Sequence, residues 1–380
     1  MSQRQYICLS RIAIALVGLI LTGMSGCESN SSSSSNPPGT ASSQSTTEEK
    51  GKFSHKQIVA DFAKQVVVPT QQSFVQRAAA LSTAIDTFAK TPNEETLKAT
   101  RQAWVNTRAA WEQSESFTFG PAESLGYDGA LDTWPLNDTD LQAILKSQDR
   151  FTPKYIEELK DTEKGFHAIE YLLFGSNHNK KATEFTPREL AYVQALGVNF
   201  AQVAKQLADS WTKGVEGKPA YQEVVATAGE SSNSTYPTVN AGAEQMVQGI
   251  IDSLIEVADE KMGQPFAKKD QKLFESRFGL NTLKDIKSNV KGAQNVYLGA
   301  FPDANTSGAS LSAYIAEVNP DLDKRVKSGF QDSLAALEKI PDPIEKNLNN
   351  PQATASVKYA QEEITEVREI LEKEVLPLIK

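Results

Sequence analysis

Apolar residues recur at three- and four-residue spacing in most long segments of the chain after residue 52. Alternating apolar and polar runs bounded by turn residues are scarce. The first pattern places apolar side chains on one face of an α-helix, whereas the second is typical of half-buried β-strands. The pattern therefore predicts an all-α protein built from long helices.

Two of the predicted helices contain residues that indicate where a helix begins or is interrupted. The first, residues 54–90, contains Pro69, which lacks a backbone N–H and favours a kink or a break. The second, residues 93–117, begins at Asn93, a helix-capping residue type, and has acidic residues in its first turn. Further helices are predicted at residues 190–214, 241–263, 333–340 and 355–379.

Long helices joined by loops are typical of up-and-down bundles. A segment of about 328 residues is more than one small core usually organises. We therefore predict two packed helical-bundle subdomains, residues 53–230 and 231–380. Their boundary is expected near the polar segment 229–240, "GESSNSTYPTVN".

The first 52 residues have a different pattern. Residues 1–26 carry Arg4 and Arg11, no acidic residue and one apolar core, which is typical of a secretory signal peptide. The signal ends in "MSGC", which resembles the bacterial lipobox, and predicts that Cys27 is lipidated. The rest of residues 27–52 is rich in Ser, Thr, Pro and Gly, and predicts a disordered tether between the lipid and the folded part.

Composition narrows the chemistry that remains. The only cysteines are Cys8, within the signal, and Cys27, so cysteine catalysis and cysteine-bound zinc are excluded for the mature chain. The chain has 39 basic and 48 acidic residues, a formal charge of -9. An acidic surface argues against a nucleic-acid partner and is compatible with soluble cations, although it is also common in solvated helical proteins.

The segment "GFHAIEYLLFG", residues 165–175, places His167 and Glu170 three positions apart in an apolar run. Residues three apart share one face of a helix, so both side chains can reach one metal ion. The spacing alone is also met by an ordinary helix with one polar edge. The apolar neighbours favour a site, because a carboxylate there needs a partner or a shifted pKa.

A second set of polar candidates lies upstream. Trp104, Arg108, Trp111 and Glu115 follow helical spacing, so one stripe carries two tryptophans and two charges. Arg108 and Glu115 form either an internal salt bridge or part of a functional site. In the next loop, "LDTWPL" places Asp132 and Trp134 before a proline, where the aspartate is either a helix cap or a ligand.

The segments "WEQSESFTFGP", "LDTWPL" and "GFHAIEYLLFG" resemble signature blocks of the imelysin family, also called peptidase M75, whose mark is GxHxxE. Gly165, His167 and Glu170 match that mark. In the second half, "ESRFGLNTLKDIKSNVKGAQNVYLG" resembles a further block. The likeness covers most of residues 55–380.

The resemblance implies an all-helical fold of two bundle-like subdomains, a site near their interface, and a bacterial envelope protein associated with iron. It implies metal binding by His167, Glu170, Glu115 and Asp132, with Arg108 orienting Glu115. Residues expected to line the same cleft are Trp111, Trp134, Gly165, Arg277 and Asp285.

A protease role is the first alternative, because the family is also named as a peptidase. The sequence contains no HExxH motif, and the mature chain has three histidines. One histidine with several carboxylates suits iron, with calcium or zinc as other candidates. We therefore predict an iron-binding lipoprotein of the cell envelope, on the outer membrane, that serves iron-transport components. The second alternative is a lipoprotein that binds an organic ligand.

Overall fold

The computed structural model of the chain describes residues 55–380. The predicted signal peptide, Cys27 and the tether lie outside the described residues. Within that part helices predominate and one two-stranded sheet is the only sheet, so the all-α prediction is confirmed. No helix of the described part is both long and apolar enough to cross a membrane.

The first predicted helix forms without a break at Pro69. It consists of α1 (Lys56–Asp61), a π-helical segment (Phe62–Val67) and α2 (Val68–Lys90), which follow one another directly. Pro69 occupies the first turn of α2, immediately after the wider π-helical turns. A π-helix bonds residues five apart instead of four, and we infer that this local change accommodates the proline ring.

The second predicted helix, α3 (Glu94–Glu112), begins where its sequence signal places it. Asn93 Oδ1 accepts hydrogen bonds from the backbone N–H groups of Glu95 (2.9 Å) and Thr96 (3.0 Å). These contacts satisfy two of the unpaired N–H groups at the start of the helix. The predicted cap is therefore confirmed.

The rest of the first half consists of one long helix, Pro187–Thr212, and several short ones. The α-helices are α4 (Pro121–Ser124), α5 (Tyr127–Asp132), α6 (Asp138–Lys146), α7 (Pro153–Glu158), α8 (Gly165–Phe174), α9 (Pro187–Thr212) and α10 (Tyr221–Ala226). Short 3-10 turns lie at Glu115–Phe117, Asp161–Glu163 and Ala182–Glu184.

The second half contains the small sheet. Its α-helices are α11 (Val239–Ile255), α12 (Gln264–Lys268), α13 (Thr282–Leu298), α14 (Leu311–Val318), α15 (Pro320–Leu337), α16 (Pro351–Ile370) and α17 (Leu376–Ile379). Further π-helical segments are Glu256–Gly263 and Leu371–Val375, and 3-10 turns lie at Gln271–Leu273, Pro302–Ala304 and Ile344–Lys346. Strands β1 (Ala300–Phe301) and β2 (Thr306–Ser307) pair antiparallel, with Ala300 opposite Ser307.

Helix packing joins the described residues into one compact unit. In the first half α2 packs against α3 and α9, and in the second α15 packs against α16 and α11 against α13. Helix α13 also packs against α3, and Gly292 allows close contact there: a Cβ atom on Gly292 would lie 2.3 Å from the carbonyl oxygen of Gln113. The predicted boundary at 229–240 includes the loop before α11, and the division into subdomains stays a prediction.

Candidate functional site

Helix α8 brings the two residues of the HxxE pair into contact. His167 and Glu170 are buried, and His167 Nδ1 lies 3.1 Å from Glu170 Oε2. The other carboxylate oxygen, Oε1, accepts hydrogen bonds from the backbone N–H groups of Phe278 (2.9 Å) and Gly279 (2.7 Å). Glu170 is therefore held from two sides, and it orients the imidazole ring of His167.

The glycine that precedes this pair has a packing role. Gly165 has φ +76°, which favours glycine, and a Cβ atom on it would lie 2.4 Å from the carbonyl oxygen of Leu131. Leu131 is the neighbour of Asp132. Because α8 begins directly against the end of α5, a side chain at residue 165 would displace Asp132 relative to His167.

Asp132, the last residue of α5, faces the opposite side of the imidazole ring. Its Oδ1 lies 3.1 Å from His167 Nε2 and accepts a hydrogen bond from Arg108 Nη1. Its Oδ2 accepts a hydrogen bond from Trp111 Nε1 at 2.7 Å. The ring of Trp134 also contacts His167, with centroids 4.9 Å apart. The two aromatic residues and Arg108 therefore fix Asp132 and His167 together.

Arg108 is fully buried and joins several carboxylates. On its own helix it donates a hydrogen bond to Glu112, one turn later. Its Nη2 lies 3.4 Å from Asp285 Oδ2 and 3.5 Å from Glu275 Oε1, both in the second half of the chain. Asp285 itself accepts hydrogen bonds from Ser276 and Asn281. Arg108 therefore joins α3 to a carboxylate near the start of α13 that already has two hydrogen-bond donors.

A second buried cation comes from the π-helical segment after α11. Lys261 Nζ lies 2.8 Å from Glu112 Oε2 and 2.8 Å from Glu275 Oε2. Glu112 Oε2 also accepts a hydrogen bond from Asn289 Nδ2 at 2.5 Å. π-Helical turns inside α-helices occur frequently at functional sites. We call the full set the buried charge cluster: Arg108, Glu112, Asp132, His167, Glu170, Lys261, Glu275 and Asp285.

Three members of the buried charge cluster form a group with the donor atoms of a metal site. Asp132, His167 and Glu275 each offer one ligand atom, and these atoms lie within 4.8 Å of one another. Two ligands bound to one ion at about 2.1 Å are roughly 3.0 to 3.4 Å apart in octahedral or tetrahedral geometry. His167 Nε2 is 3.1 Å from Asp132 and 3.7 Å from Glu275. We call these three residues the ligand triad.

The charges of the buried charge cluster do not balance. Five carboxylic acids surround two cationic side chains, Arg108 and Lys261, so the cluster has an excess of three negative charges when all five acids are ionised and His167 is neutral. Burying unbalanced charge is costly, because the low dielectric strengthens repulsion and removes hydration. The cluster therefore favours an additional cation, whether a proton or a metal ion.

The pKa values show how protons meet this need. Burial lowers the pKa of His167, but hydrogen bonds with Asp132, Glu170 and Glu275 outweigh burial and raise it to about 10. Burial raises the pKa of Asp132, but Arg108 and His167 together outweigh burial and lower that pKa to about 2. Burial raises the pKa of Asp285 to about 7, because the opposing effect of Arg108 is incomplete. At neutral pH the proton on His167 Nε2 therefore faces the carboxylates of Asp132 and Glu275. A metal ion bound at Nε2 would replace this proton.

The structure separates the sequence-predicted residues into groups. Asp132 and His167 belong to the ligand triad, and Glu170 contacts His167 from its far side. Glu115 is buried in the 3-10 turn after α3 and lies outside the ligand triad. Burial lowers the pKa of Lys261, but nearby negative charges outweigh burial and raise it, and Glu115 is the weakest of these charges. Metal binding by Glu115 and by Glu170 stays a prediction.

The other predicted cleft residues also occupy defined places. Trp111 contacts Asp132, Trp134 contacts His167, and Asp285 contacts Arg108. Arg277 packs its guanidinium on Trp134 and Phe278.

Sequence reasoning missed three members of the buried charge cluster. Glu112 follows Arg108 by four residues, a spacing that predicts an ion pair on one helix face. Lys261 follows the buried Val257 by four residues, so it is a charged residue at a core position of the helical pattern. Glu275 follows two apolar residues in "LFESRF", which is a weaker signal. Glu112 and Lys261 could have been found from spacing alone.

Comparison with known proteins supports the resemblance seen in the sequence. A model of the Imelysin family, Peptidase_M75, matches residues 67–371. The chain is 39% identical over 324 residues to iron-regulated protein A of Synechococcus elongatus, which covers 85% of this chain and 86% of that protein.

Solved structures show the same fold. An iron-regulated protein A precursor from Parabacteroides distasonis has a TM-score of 0.73 at 24% identity, covering 86% of this chain and 97% of its own. An imelysin-like protein from Psychrobacter arcticum has a TM-score of 0.68 at 15% identity, covering 86% and 95%. These likenesses extend over nearly all of the described residues.

Proposed function

The chain belongs to the imelysin family, and from this premise we propose that it binds iron reversibly at the ligand triad and takes part in iron uptake. The observation that carries the proposal is the convergence of Asp132, His167 and Glu275 within a buried cluster that has excess negative charge. The name of the Synechococcus relative, iron-regulated protein A, supports iron as the metal.

The donor set fits this cargo. One imidazole nitrogen and two carboxylate oxygens suit an ion of intermediate hardness, such as iron, better than a thiolate-binding metal. Glu170 would hold the imidazole through Nδ1 so that Nε2 faces the metal. Arg108 and Trp111 would hold Asp132 in the same way. Calcium and zinc are the competing cargoes, and the experiment below includes both.

Binding would exchange a proton for a metal. Metal ligands must be deprotonated, so the ion has to displace the proton that Asp132, Glu170 and Glu275 stabilise on His167. This exchange makes capture reversible, because acidification returns the proton and favours release. The lipid anchor at Cys27 would keep the protein at the envelope surface, where released iron reaches transport components.

Calorimetric titration of the full-length chain in detergent with Fe(II), Fe(III), Zn(II) and Ca(II) tests the proposal. We expect iron to bind most tightly, and we expect His167→Gln and Asp132→Asn each to reduce iron affinity by a factor on the order of 10 to 100, the loss that outer-shell changes already cause at metal sites. His55→Gln is the matched control, since His55 precedes α1 and lies outside the triad.

Absence of iron binding by the wild-type protein would refute the proposal. Equal effects of the His55 and His167 variants would refute the assignment of the triad. Binding of an organic ligand without any metal requirement would favour the alternative of an organic-ligand lipoprotein.

A further inference from the structure

Arg277 is a mostly buried arginine with few polar contacts. Its side chain is 15% exposed, and its Nε has no hydrogen-bond partner among the described residues. Its ion pair with Asp138 is 3.7 Å long, which is beyond hydrogen-bond distance. Arg101, by contrast, donates to two backbone carbonyl groups at 2.5 to 3.0 Å. Arg277 therefore retains donors that could bind a ligand.

Two aromatic rings hold Arg277 in place. Its Cζ atom lies 4.4 Å from the ring centroid of Phe278 and 5.3 Å from that of Trp134. Stacking on aromatic faces positions a guanidinium and leaves its N–H edge available. A guanidinium with a free edge is suited to bidentate binding of a carboxylate.

The position of Arg277 connects it to the ligand triad. Trp134, which contacts Arg277, also packs against the imidazole ring of His167, with the two ring centroids 4.9 Å apart. Arg277 follows Glu275 by two residues and precedes Phe278, whose N–H holds Glu170. His167 is buried, whereas Trp134 and Arg277 are partly exposed. These two side chains therefore lie on the solvent-facing side of the triad.

We propose that Arg277 binds a carboxylate group of a chelator that carries the metal to the ligand triad. This inference rests on the proposed function. Three protein ligands leave coordination positions for oxygen atoms of the chelator. The negative buried charge cluster disfavours a free anion, but a metal chelate presents its cation to the triad and its carboxylate to Arg277. The two charges of the chelate thus match the two charges of the site.

The test compares chelated with chelator-free iron. Ferric citrate and Fe(II) are titrated into the full-length wild-type chain and into Arg277→Gln and Arg277→Lys. We expect the ratio of ferric citrate affinity to Fe(II) affinity to fall about 10- to 100-fold in Arg277→Gln, the range for a lost charged hydrogen-bonded pair. Arg277→Lys should lose less, because an ammonium group retains the charge without the bidentate geometry.

Arg325→Gln is the control for net charge, because Arg325 pairs with Glu374 on the exposed surface of the second half. An unchanged ratio in Arg277→Gln, whether both affinities stay the same or fall equally, would overturn this inference but not the proposed iron site. A wild-type chain that binds neither form of iron would overturn the proposed function itself.

Discussion

The buried charge cluster holds five carboxylic acids against Arg108 and Lys261, whereas the buried carboxylate of Asp323 in the second half has matching donors. Asp323 accepts hydrogen bonds from Ser312 Oγ (2.7 Å), Tyr297 OH (3.0 Å) and Lys327 Nζ (2.7 Å). Burial raises the pKa of Asp323, but these donors outweigh it, and the pKa is lowered. One carboxylate with one cation and two hydroxyl groups is a balanced structural network.

A second carboxylate of that half solves the same problem by protonation. Glu345 Oε1 accepts a hydrogen bond from the backbone N–H of Thr282 at 2.9 Å, but burial outweighs this contact and raises the pKa of Glu345 to about 7. The comparison teaches that burial of acids does not by itself indicate a site. What sets the buried charge cluster apart is that three acids converge on one imidazole, Asp132, Glu170 and Glu275, and this convergence motivates the proposed site.

The largest expected effect is on stability, and it concerns Arg108, one of the two cations of the buried charge cluster. Arg108→Met leaves Glu112 and Asp132 buried without their guanidinium partner, and should lower the free energy of unfolding by about 3 to 5 kcal/mol. Lys327→Met, the matched change at Asp323, removes an amine that is 44% exposed and should cost less than about 1 kcal/mol. Denaturant titration measures both, and similar losses would remove the proposed difference between the regions.

The next effect depends on pH and concerns Glu345. Its pKa is about 7 in the folded chain, whereas the ordinary pKa of a glutamate, 4.5, applies in the unfolded chain. The folded state therefore binds more protons between these values, and this stabilising contribution is complete below pH 4.5 and lost as the pH rises through 7. The loss amounts to roughly 3 kcal/mol, from about 1.4 kcal/mol for each pKa unit.

Glu345→Gln tests this contribution, since the amide oxygen can still accept from Thr282. The variant should gain stability relative to the wild type as the pH rises from 4.5 to 7, measured by urea unfolding at each pH. A constant difference between the two proteins across that range would contradict the prediction.

A third prediction concerns metal. Iron at 100 times its dissociation constant should raise the free energy of unfolding by about 2.7 kcal/mol, because it binds only the folded chain. Glu275→Gln, which alters the ligand triad, should lose most of that gain. Asp323→Asn should retain it even if the variant is less stable without metal. Thermal unfolding with and without Fe(II) measures the gain. Loss of the gain in Asp323→Asn would show that metal binding depends on the region of Asp323, contrary to the prediction.

The smallest effect is local to the balanced network. Tyr297→Phe removes one of three donors to Asp323 and should cost about 1 to 2 kcal/mol of stability. It should leave iron affinity unchanged, because Tyr297 lies outside the ligand triad. A change in iron affinity measured by calorimetry would show that the two regions are coupled.

The sequence by itself determined the helical class, the cap at Asn93, the family blocks and the shared helix face of His167 and Glu170. Each of these depends on residues close together in the chain, where helical geometry relates spacing to position. The same reasoning could have added Glu112, which shares a helix face with Arg108, and Lys261, which shares one with Val257. The break predicted at Pro69 is absent, since a π-helical segment precedes the proline and the helix continues through it, while the alternative of a kink stays a prediction.

Only the tertiary structure placed Glu275 beside Asp132 and His167, and only it gave Glu170 the N–H groups of Phe278 and Gly279. These contacts join residues more than 100 positions apart, so no local spacing encodes them. The charge excess likewise became visible only when carboxylates from α3, α5, α8, α13 and the turn before α13 were seen in one buried volume. Burial raises the electrostatic cost of each charge, and that cost depends on the packing of all these elements together.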